Sequence, residues 1–266
     1  MSALLIQLMV SMVVFSSLAL TFGSSLGLIF PLSIDSDNPS LLEVEGDYYY
    51  RIYRDYNIAN ELYDKANLEL ASSFSRRAWV LRRLGRWEEC INFIWKAIEL
   101  DPKRAYYYRE LGGTYNAVGN YSKALEVLNK SIDLESESST KLYTSKAEGW
   151  RIEMLNRFVE DSKNSLENEN YKDAYLNLEM SYRVSPRDTL YLYNSALIAT
   201  ENKDFDQALA FYNELIDIEF TGITTNYYAI EKSTGENQGF TGPDQRELFI
   251  KAGTHENPTD VELESV

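Results

Sequence analysis

The 266-residue sequence is poor in the side chains from which most metal and redox sites are built. It contains one cysteine, Cys90, and one histidine, His255. A single cysteine excludes an internal disulfide and any multi-cysteine zinc or iron–sulfur site, and one histidine leaves little material for acid–base catalysis. The sequence also lacks a glycine-rich phosphate loop, a nucleophile elbow and an HExxH motif. It therefore predicts a non-catalytic protein without a metal site or cofactor, and an enzyme that works through carboxylates alone is the weaker alternative.

Basic residues are scarce relative to acidic ones. There are 26 Lys and Arg against 41 Asp and Glu, which gives a net charge of −15. A phosphate backbone requires concentrated positive charge, so general nucleic-acid binding is excluded. The imbalance lies almost wholly in the second half, because residues 1–134 carry a net charge of −2 and residues 135–266 one of −13. We interpret this acidic surface as a solvated face that keeps the protein soluble.

The amino-terminal segment has no charged side chain from Met1 to Ile34. It is longer than the roughly 20 apolar residues that cross a bilayer. Three interpretations are open: a cleaved signal peptide with a small-x-small site at Ser17-Leu18-Ala19, an uncleaved anchor that ends near Pro31, or an artefact of the assigned start. A signal peptide normally begins with Lys or Arg, but the first basic residue here is Arg51. We expect membrane association through residues 3–30 and a location at the cell envelope, anchored or periplasmic, or in the cytoplasm if the segment is an artefact.

An internal repeat of 34 residues is the strongest pattern in the chain. Cys90 and Ala124 are 34 positions apart, and so are Ala174 and Ala208. Each small residue follows an aromatic residue by three positions, and in the first pair a glycine precedes that aromatic residue by two. Apolar residues at helical spacing flank this motif, which predicts helix–turn–helix units that stack in series. We expect Gly112 to let two helices approach closely and Gly119 to form a tight turn.

This pattern resembles the tetratricopeptide repeat. The resemblance implies an all-α fold, an α-solenoid of helical hairpins wound into a right-handed superhelix, with two short arrays as an alternative. The interval from Ala124 to Ala174 is 50 residues, and a single long helix from about Lys141 to Glu167 would absorb the excess. The predicted organisation is a signal peptide or anchor over 1–34, a repeat array over 35–134, a linker or extended helix over 135–154, a second repeat pair over 155–222, and an irregular helical region with a polar tail over 223–266.

Two further resemblances concern bacterial proteins. Residues 46–134 resemble repeats of regulatory proteins, including those attached to nucleotide cyclases, through the motifs at 46–50, 54–56 and 82–89. Residues 146–260 resemble exported tetratricopeptide proteins through the motifs at 171–175, 185–189 and 251–255. The first resemblance implies a regulatory fragment separated from an effector domain, and the second implies a scaffold at the envelope.

Beyond Gly222 the repeat decays. We expect a helix near residues 224–230, a loop over 233–239, a short helix from Pro243 to Lys251, and an unpaired polar tail from residue 256 onward. In this setting His255 is expected at the surface. Cys90 occupies the position of Ala124 in the next repeat and is expected to fill the core.

The fold implied by the resemblance directs our search for a binding site to the first helix of each hairpin, since these helices line the concave groove of such an array. The partner would be a protein or peptide segment with acidic or carboxylate groups, because the groove positions combine cations with aromatic rings. Two alternatives remain: the arginines of this region only pair with nearby carboxylates, or the acidic second half occupies the groove. The candidate groove residues are Trp79, Arg82, Arg83, Tyr106, Arg109 and Asn116.

Overall fold

A computed structural model describes residues 38–136, 141–222 and 225–262. The apolar segment over residues 1–34 lies outside these ranges, and its three interpretations remain predictions. Within the described ranges, no helix combines the length and apolar character needed to cross a bilayer. The chain divides into two compact units between Pro102 and Lys103.

Residues 38–102 of the first unit form two helical hairpins. Its first helix is extended by one π-helical turn, Tyr49–Tyr53, and the chain then reverses into the second helix. The first two helices lie close together, because the Tyr63 ring packs directly on Gly46 and the Tyr63 hydroxyl donates to Asp47 over 2.6 Å. The four helices are α1 (Pro39–Tyr48), α2 (Tyr56–Ala66), α3 (Ala71–Arg83) and α4 (Trp87–Leu100).

The second unit begins with three more hairpins. In each, the two helices pack antiparallel across a short turn, and consecutive hairpins contact each other. The six helices are α5 (Ala105–Ala117), α6 (Tyr121–Glu135), α7 (Thr144–Glu167), α8 (Tyr171–Val184), α9 (Leu190–Glu201) and α10 (Phe205–Asp217).

The repeat predicted from the sequence is confirmed in its details. Cys90, Ala124, Ala174 and Ala208 are all buried at equivalent positions of α4, α6, α8 and α10. Gly119 has a positive φ of 77° in the turn between α5 and α6, a conformation that glycine adopts without strain. A larger side chain at any of the four small-residue positions would push the paired helices apart.

The predicted long helix is also confirmed, as α7 spans 24 residues. The predicted linker over 135–154 is not a boundary between compact units, because both of its ends lie in the second unit. The Glu135 carboxylate, at the end of α6, accepts hydrogen bonds from the backbone N–H groups of Tyr143 (2.8 Å) and Thr144 (2.7 Å). These bonds place a negative charge at the amino end of α7, where the helix dipole favours it.

Residues 225–262 correct the prediction for the carboxyl-terminal region. The predicted helix near 224–230 is a strand, and the tail predicted to be unpaired is another strand of the same antiparallel sheet. The Thr, Tyr and Ile side chains of the first strand favour a pleated, half-buried surface over a helix. The short helix is confirmed with its predicted bounds. The elements are β1 (Thr225–Glu231), β2 (Asn237–Phe240), α11 (Pro243–Lys251) and β3 (His255–Glu262), with strand order β2-β1-β3.

His255 lies in the core of this small α/β region, so the prediction of a surface position was wrong. It is 3% exposed and meets the rings of Phe240 and Phe249 edge to face at 5.3 and 5.2 Å. Its Nε2 lies 2.7 Å from Gln238 Oε1. Burial lowers the pKa of the imidazole.

Asp188 joins this region to the helical hairpins. The side chain is buried in the turn between α8 and α9, and its carboxylate accepts the backbone N–H groups of Asp244 (2.8 Å) and Gln245 (2.7 Å) at the start of α11. The contact requires Gly242, where a Cβ atom would lie 2.0 Å from Asp188 Oδ1. Burial raises the pKa of Asp188 to about 7, outweighing the two N–H bonds that lower it.

We expect Gly112→Ala to lower the free energy of unfolding by about 1–3 kcal/mol, because the new methyl group would overpack the core. A Cβ atom at this position would lie 2.5 Å from Cγ of the fully buried Leu128. Gly149→Ala is the matched control: it is also helical, has open space around the added atom, and should stabilise the protein by up to about 1 kcal/mol. Urea denaturation followed by circular dichroism measures both, and equal effects of the two variants would contradict the close packing.

We expect Asp188→Asn to flatten the pH dependence of α11 docking. The pKa of Asp188 is about 7 in the folded protein and about 3.9 in an unfolded chain, so the proton binds more tightly to the folded state. Protonation of Asp188 therefore stabilises the folded state at low pH, and this stabilisation is lost as the pH rises from about 4 to about 7. The asparagine variant has no such titration, and the two slopes should differ by up to about 1.4 kcal/mol per pH unit.

Hydrogen exchange of the α11 amides between pH 5 and pH 8, corrected for intrinsic rates, measures this difference. Buried His255 and Glu148 also have shifted pKa values, lowered and raised respectively by burial, but both titrate in either protein and cancel in the comparison. Asp206→Asn, at an exposed carboxylate, is the control and should keep the wild-type slope. Parallel profiles for wild type and Asp188→Asn would disprove the role of this carboxylate.

Candidate partner-binding surfaces

The first candidate surface lies on α3 and is called the α3 surface: Trp79, Arg82 and Arg83, together with Tyr50 of the π-helical turn. The Trp79 ring lies 6.1 Å from the Tyr50 ring. Arg83 is exposed, and a hydrogen bond with the Tyr50 hydroxyl raises the pKa of its guanidinium. Trp79 and Arg82 are half-buried. The arrangement holds a cation beside two aromatic rings at the carboxyl-terminal end of α3.

Two neighbouring arginines of α3 form ion pairs with nearby carboxylates. For these two residues, the alternative in which the arginines only pair within the chain is the one observed. Arg76 pairs with Glu43 (2.9 Å) and Asp47 (3.2 Å), so its charge is neutralised against α1. Arg77 pairs with Asp64 (2.5 Å), and its guanidinium covers the Phe93 ring at 4.2 Å. These two side chains stabilise the packing of the first unit and are not part of the α3 surface.

The second candidate surface lies on α5 and is called the α5 surface: Tyr106, Arg109 and Asn116, with Tyr143 and Trp150 as neighbours. The Arg109 guanidinium lies between the rings of Tyr106 (4.9 Å) and Tyr143 (4.8 Å) and forms an ion pair with Glu110. This cation is thus largely covered by aromatic rings. Its Nε and the Oδ1 of Asn116 are buried without a hydrogen-bond partner among the described residues.

Gly113, which lies on α5 between Arg109 and Asn116, does not leave an open space beside this surface. The Trp150 ring of α7 packs against Gly113, where a Cβ atom would lie 2.3 Å from the ring. Lys146 lies over the same ring at 5.1 Å. The sequence did not reveal Tyr143 and Trp150, because α7 is longer than a repeat helix and the 34-residue register could not be carried onto it.

A cleft runs between α7 and α9 within the second unit. Its volume is about 460 Å³, and its walls are mainly aliphatic and include three charged side chains. The lining includes Val159, Lys163, Leu166, Leu178, Leu197 and Glu201. Its lining comes from α7 and α9, the first helices of their hairpins, and from Leu178 of α8, so an extended partner segment has an apolar surface to contact there.

The single cysteine and the single histidine lie outside both candidate surfaces. Cys90 is buried, as expected for a core residue, and His255 belongs to the α/β region. Over the described ranges, no group of three or more His, Cys, Asp or Glu side chains is arranged to hold a metal ion.

Comparison with known proteins identifies the last hairpin. Residues 190–221, which contain α9 and α10, match the family model of the tetratricopeptide repeat. A TPR repeat-containing protein of Methanocaldococcus jannaschii is 27% identical over 206 residues, covering 64% of this chain and 36% of the relative. Tetratricopeptide repeat protein 13 of Homo sapiens is 31% identical over 111 residues, covering 41% of this chain and 13% of the relative.

Among solved structures, the TPR2B domain of yeast Sti1 in its complex with pHsp70 is similar, with 26% identity and a TM-score of 0.39. The similarity covers 42% of this chain and 91% of that domain. Residues 190–221 are therefore a repeat of the tetratricopeptide class, and the other hairpins share its paired-helix arrangement. Proteins of this class generally mediate protein–protein interactions. The chain spans about a third of the length of its archaeal relative and about an eighth of that of its human relative.

Proposed function

We propose that this protein is a non-catalytic scaffold that binds segments of other proteins, with the α3 surface of the first unit and the α5 surface of the second unit as separate binding surfaces. The observation that carries the proposal is the placement of Trp79, Arg82 and Arg83 on one turn of α3, with the exposed Arg83 oriented by Tyr50. Arginine presents several N–H donors in a fixed plane, and one hydrogen bond to a tyrosine leaves the others for a ligand. The first helices of the hairpins are also where the cleft between α7 and α9 opens.

The chemistry of the α3 surface favours a partner with carboxylates. Planar guanidinium groups bind carboxylates through paired, charge-assisted hydrogen bonds. The adjacent Trp79 and Tyr50 rings provide apolar area for a neighbouring side chain of the partner. On the α5 surface the Arg109 charge is already paired with Glu110, so Tyr106, Tyr143 and Asn116 would contribute contact area and hydrogen bonds to the backbone of a bound segment.

The location that we propose is the bacterial cell envelope, supported by the uncharged apolar segment over residues 1–34. A second candidate function is a regulatory fragment that acts on an effector domain such as a nucleotide cyclase. It is supported by the resemblance of residues 46–134 to repeats attached to such domains. Both functions use the same binding of a protein segment, and they differ in whether the bound segment belongs to an effector enzyme.

We expect Arg82→Glu/Arg83→Glu to weaken the binding of an acidic peptide at least tenfold, because the substitution places like charges in contact. The probe is a fluorescein-labelled peptide of nine residues, rich in Glu and with a free terminal carboxylate, measured by fluorescence polarisation. Its neutral twin has Gln for Glu and an amidated end and should bind the wild type much more weakly. Affinity should also fall with added salt.

The matched control is Lys130→Glu/Lys172→Glu, which changes the net charge equally at two exposed positions on second helices of hairpins. It should stay within twofold of the wild type, and circular dichroism should show all three proteins folded. If the acidic and neutral peptides bind equally, or if both double variants lose affinity together, the α3 surface does not recognise carboxylates.

A further inference from the structure

The last helix of the hairpin series, α10, carries an apolar stripe that faces solvent. Phe205, Leu209 and Ile216 are 65%, 60% and 71% exposed, and Tyr212 lies half-buried between them. The positions follow the spacing i, i+4, i+7 and i+11, which places them along one side of a helix. The buried residues Ala208, Phe211 and Leu215 form a separate face, and Phe211 on this face packs against the preceding hairpin. We refer to the exposed set as the α10 stripe.

The repeat identifies the positions that are equivalent to this stripe in the preceding hairpins, and their contacts show what such a stripe packs against. Its equivalents in α8 begin with Tyr171 and Tyr175, and Tyr175 is only 1% exposed. The Tyr175 ring meets Phe211 of the next hairpin edge to face at 5.9 Å, and its hydroxyl donates to Asp204 over 2.7 Å.

The same relation holds one repeat earlier. The equivalents in α6 begin with Tyr121 and include the buried residues Leu125 and Leu128. The Tyr121 ring packs edge to face on Phe158 of α7 at 5.0 Å. In both repeats, aromatic residues of this stripe therefore contact the following hairpin.

The chain's own α/β region does not cover the α10 stripe. Its helix α11 is attached at Asp188 in the turn between α8 and α9 and packs against α7. The three residues with the largest exposure on the stripe stay open to solvent with this region in place. The occupant therefore comes from outside residues 38–262.

The charged residues of α10 indicate which kind of helix would bind to the stripe. The helix has no Lys or Arg, and its exposed charged residues are Asp206 and Asp217, followed by Glu219 just past its end. Glu214 is paired with Arg183 of α8, in the preceding hairpin (2.5 Å). A second copy of α10 would bring carboxylates against carboxylates, whereas a helix with Lys or Arg beside its apolar face would complement them.

We propose that the α10 stripe is a docking site for an amphipathic helix of a partner protein, with apolar residues on one face and Lys or Arg at its margin. The partner helix lies where the first helix of a further repeat would lie, and its cations face Asp206 and Asp217. This site is distinct from the α3 and α5 surfaces, and it does not require that they bind anything.

The experiment uses the full chain and a pair of synthetic helical peptides of 18 residues. Both carry Leu at the spacing of the stripe; one has Lys at the flanking positions and the other has Glu. We expect the Lys peptide to bind at least tenfold more tightly by fluorescence polarisation. Phe205→Ser/Leu209→Ser/Ile216→Ser should weaken its binding at least tenfold, while circular dichroism stays unchanged because these side chains are already exposed.

Two control variants separate docking from general attraction to an acidic protein. Ile52→Ser/Tyr53→Ser removes side chains of similar exposure, 64% and 57%, from the first unit and should leave the affinity within twofold. Asp206→Lys/Asp217→Lys should reverse the preference to the Glu peptide, whereas Glu160→Lys/Asp161→Lys, an equal charge change on α7, should not.

Three results would overturn the proposal. The first is equal binding of the two peptides to the wild type. The second is unchanged affinity of the triple serine variant. The third is a wild-type dimer in sedimentation velocity that the serine variant dissociates, which would assign the stripe to a second copy of the chain.

Discussion

The close approach of paired helices at small residues is the constraint on which the helical part of this protein depends. Cys90, Ala124, Ala174 and Ala208 are buried where two helices of a hairpin meet, and Gly112 lets Leu128 of the facing helix come into direct contact. Because interiors are packed at crystal-like density, these positions accept almost no added volume. In the repeat that contains Ala124, the aromatic residue three positions earlier, Tyr121, also packs on Phe158 of α7.

The departures from the repeat have local physical causes. The irregular interval after α6 is accommodated by the longer helix α7, whose amino end receives the Glu135 carboxylate. The α/β region ends the regular series in a different way, since a buried carboxylate from the turn before α9 binds the first N–H groups of α11. In both places a side chain from an earlier segment satisfies backbone donors that a helix leaves unpaired at its start.

The surfaces differ in how many of their charged side chains already form ion pairs within the chain. Arg76, Arg77 and Arg109 have carboxylate partners within the chain and serve packing, which follows from the excess of acidic residues. Arg83 is exposed beside aromatic rings. The α10 stripe has acidic margins and no basic residue of its own. A protein with a net charge of −15 thus presents a local cationic surface and a local apolar surface, and these suit different partners.

The sequence alone determined the helical hairpins, because a 34-residue spacing of small and aromatic residues directly records which positions are buried between helices. It also determined that α7 is longer than a repeat helix and ends at Glu167, and it determined the bounds of α11 and the core position of Cys90. Only the tertiary structure decided that residues 225–231 and 255–262 pair as strands, since the partner of a strand is set by contacts between distant segments. The same reason applies to Asp188, whose two N–H donors lie 56 and 57 residues away, and to Trp150, which fills the space beside Gly113.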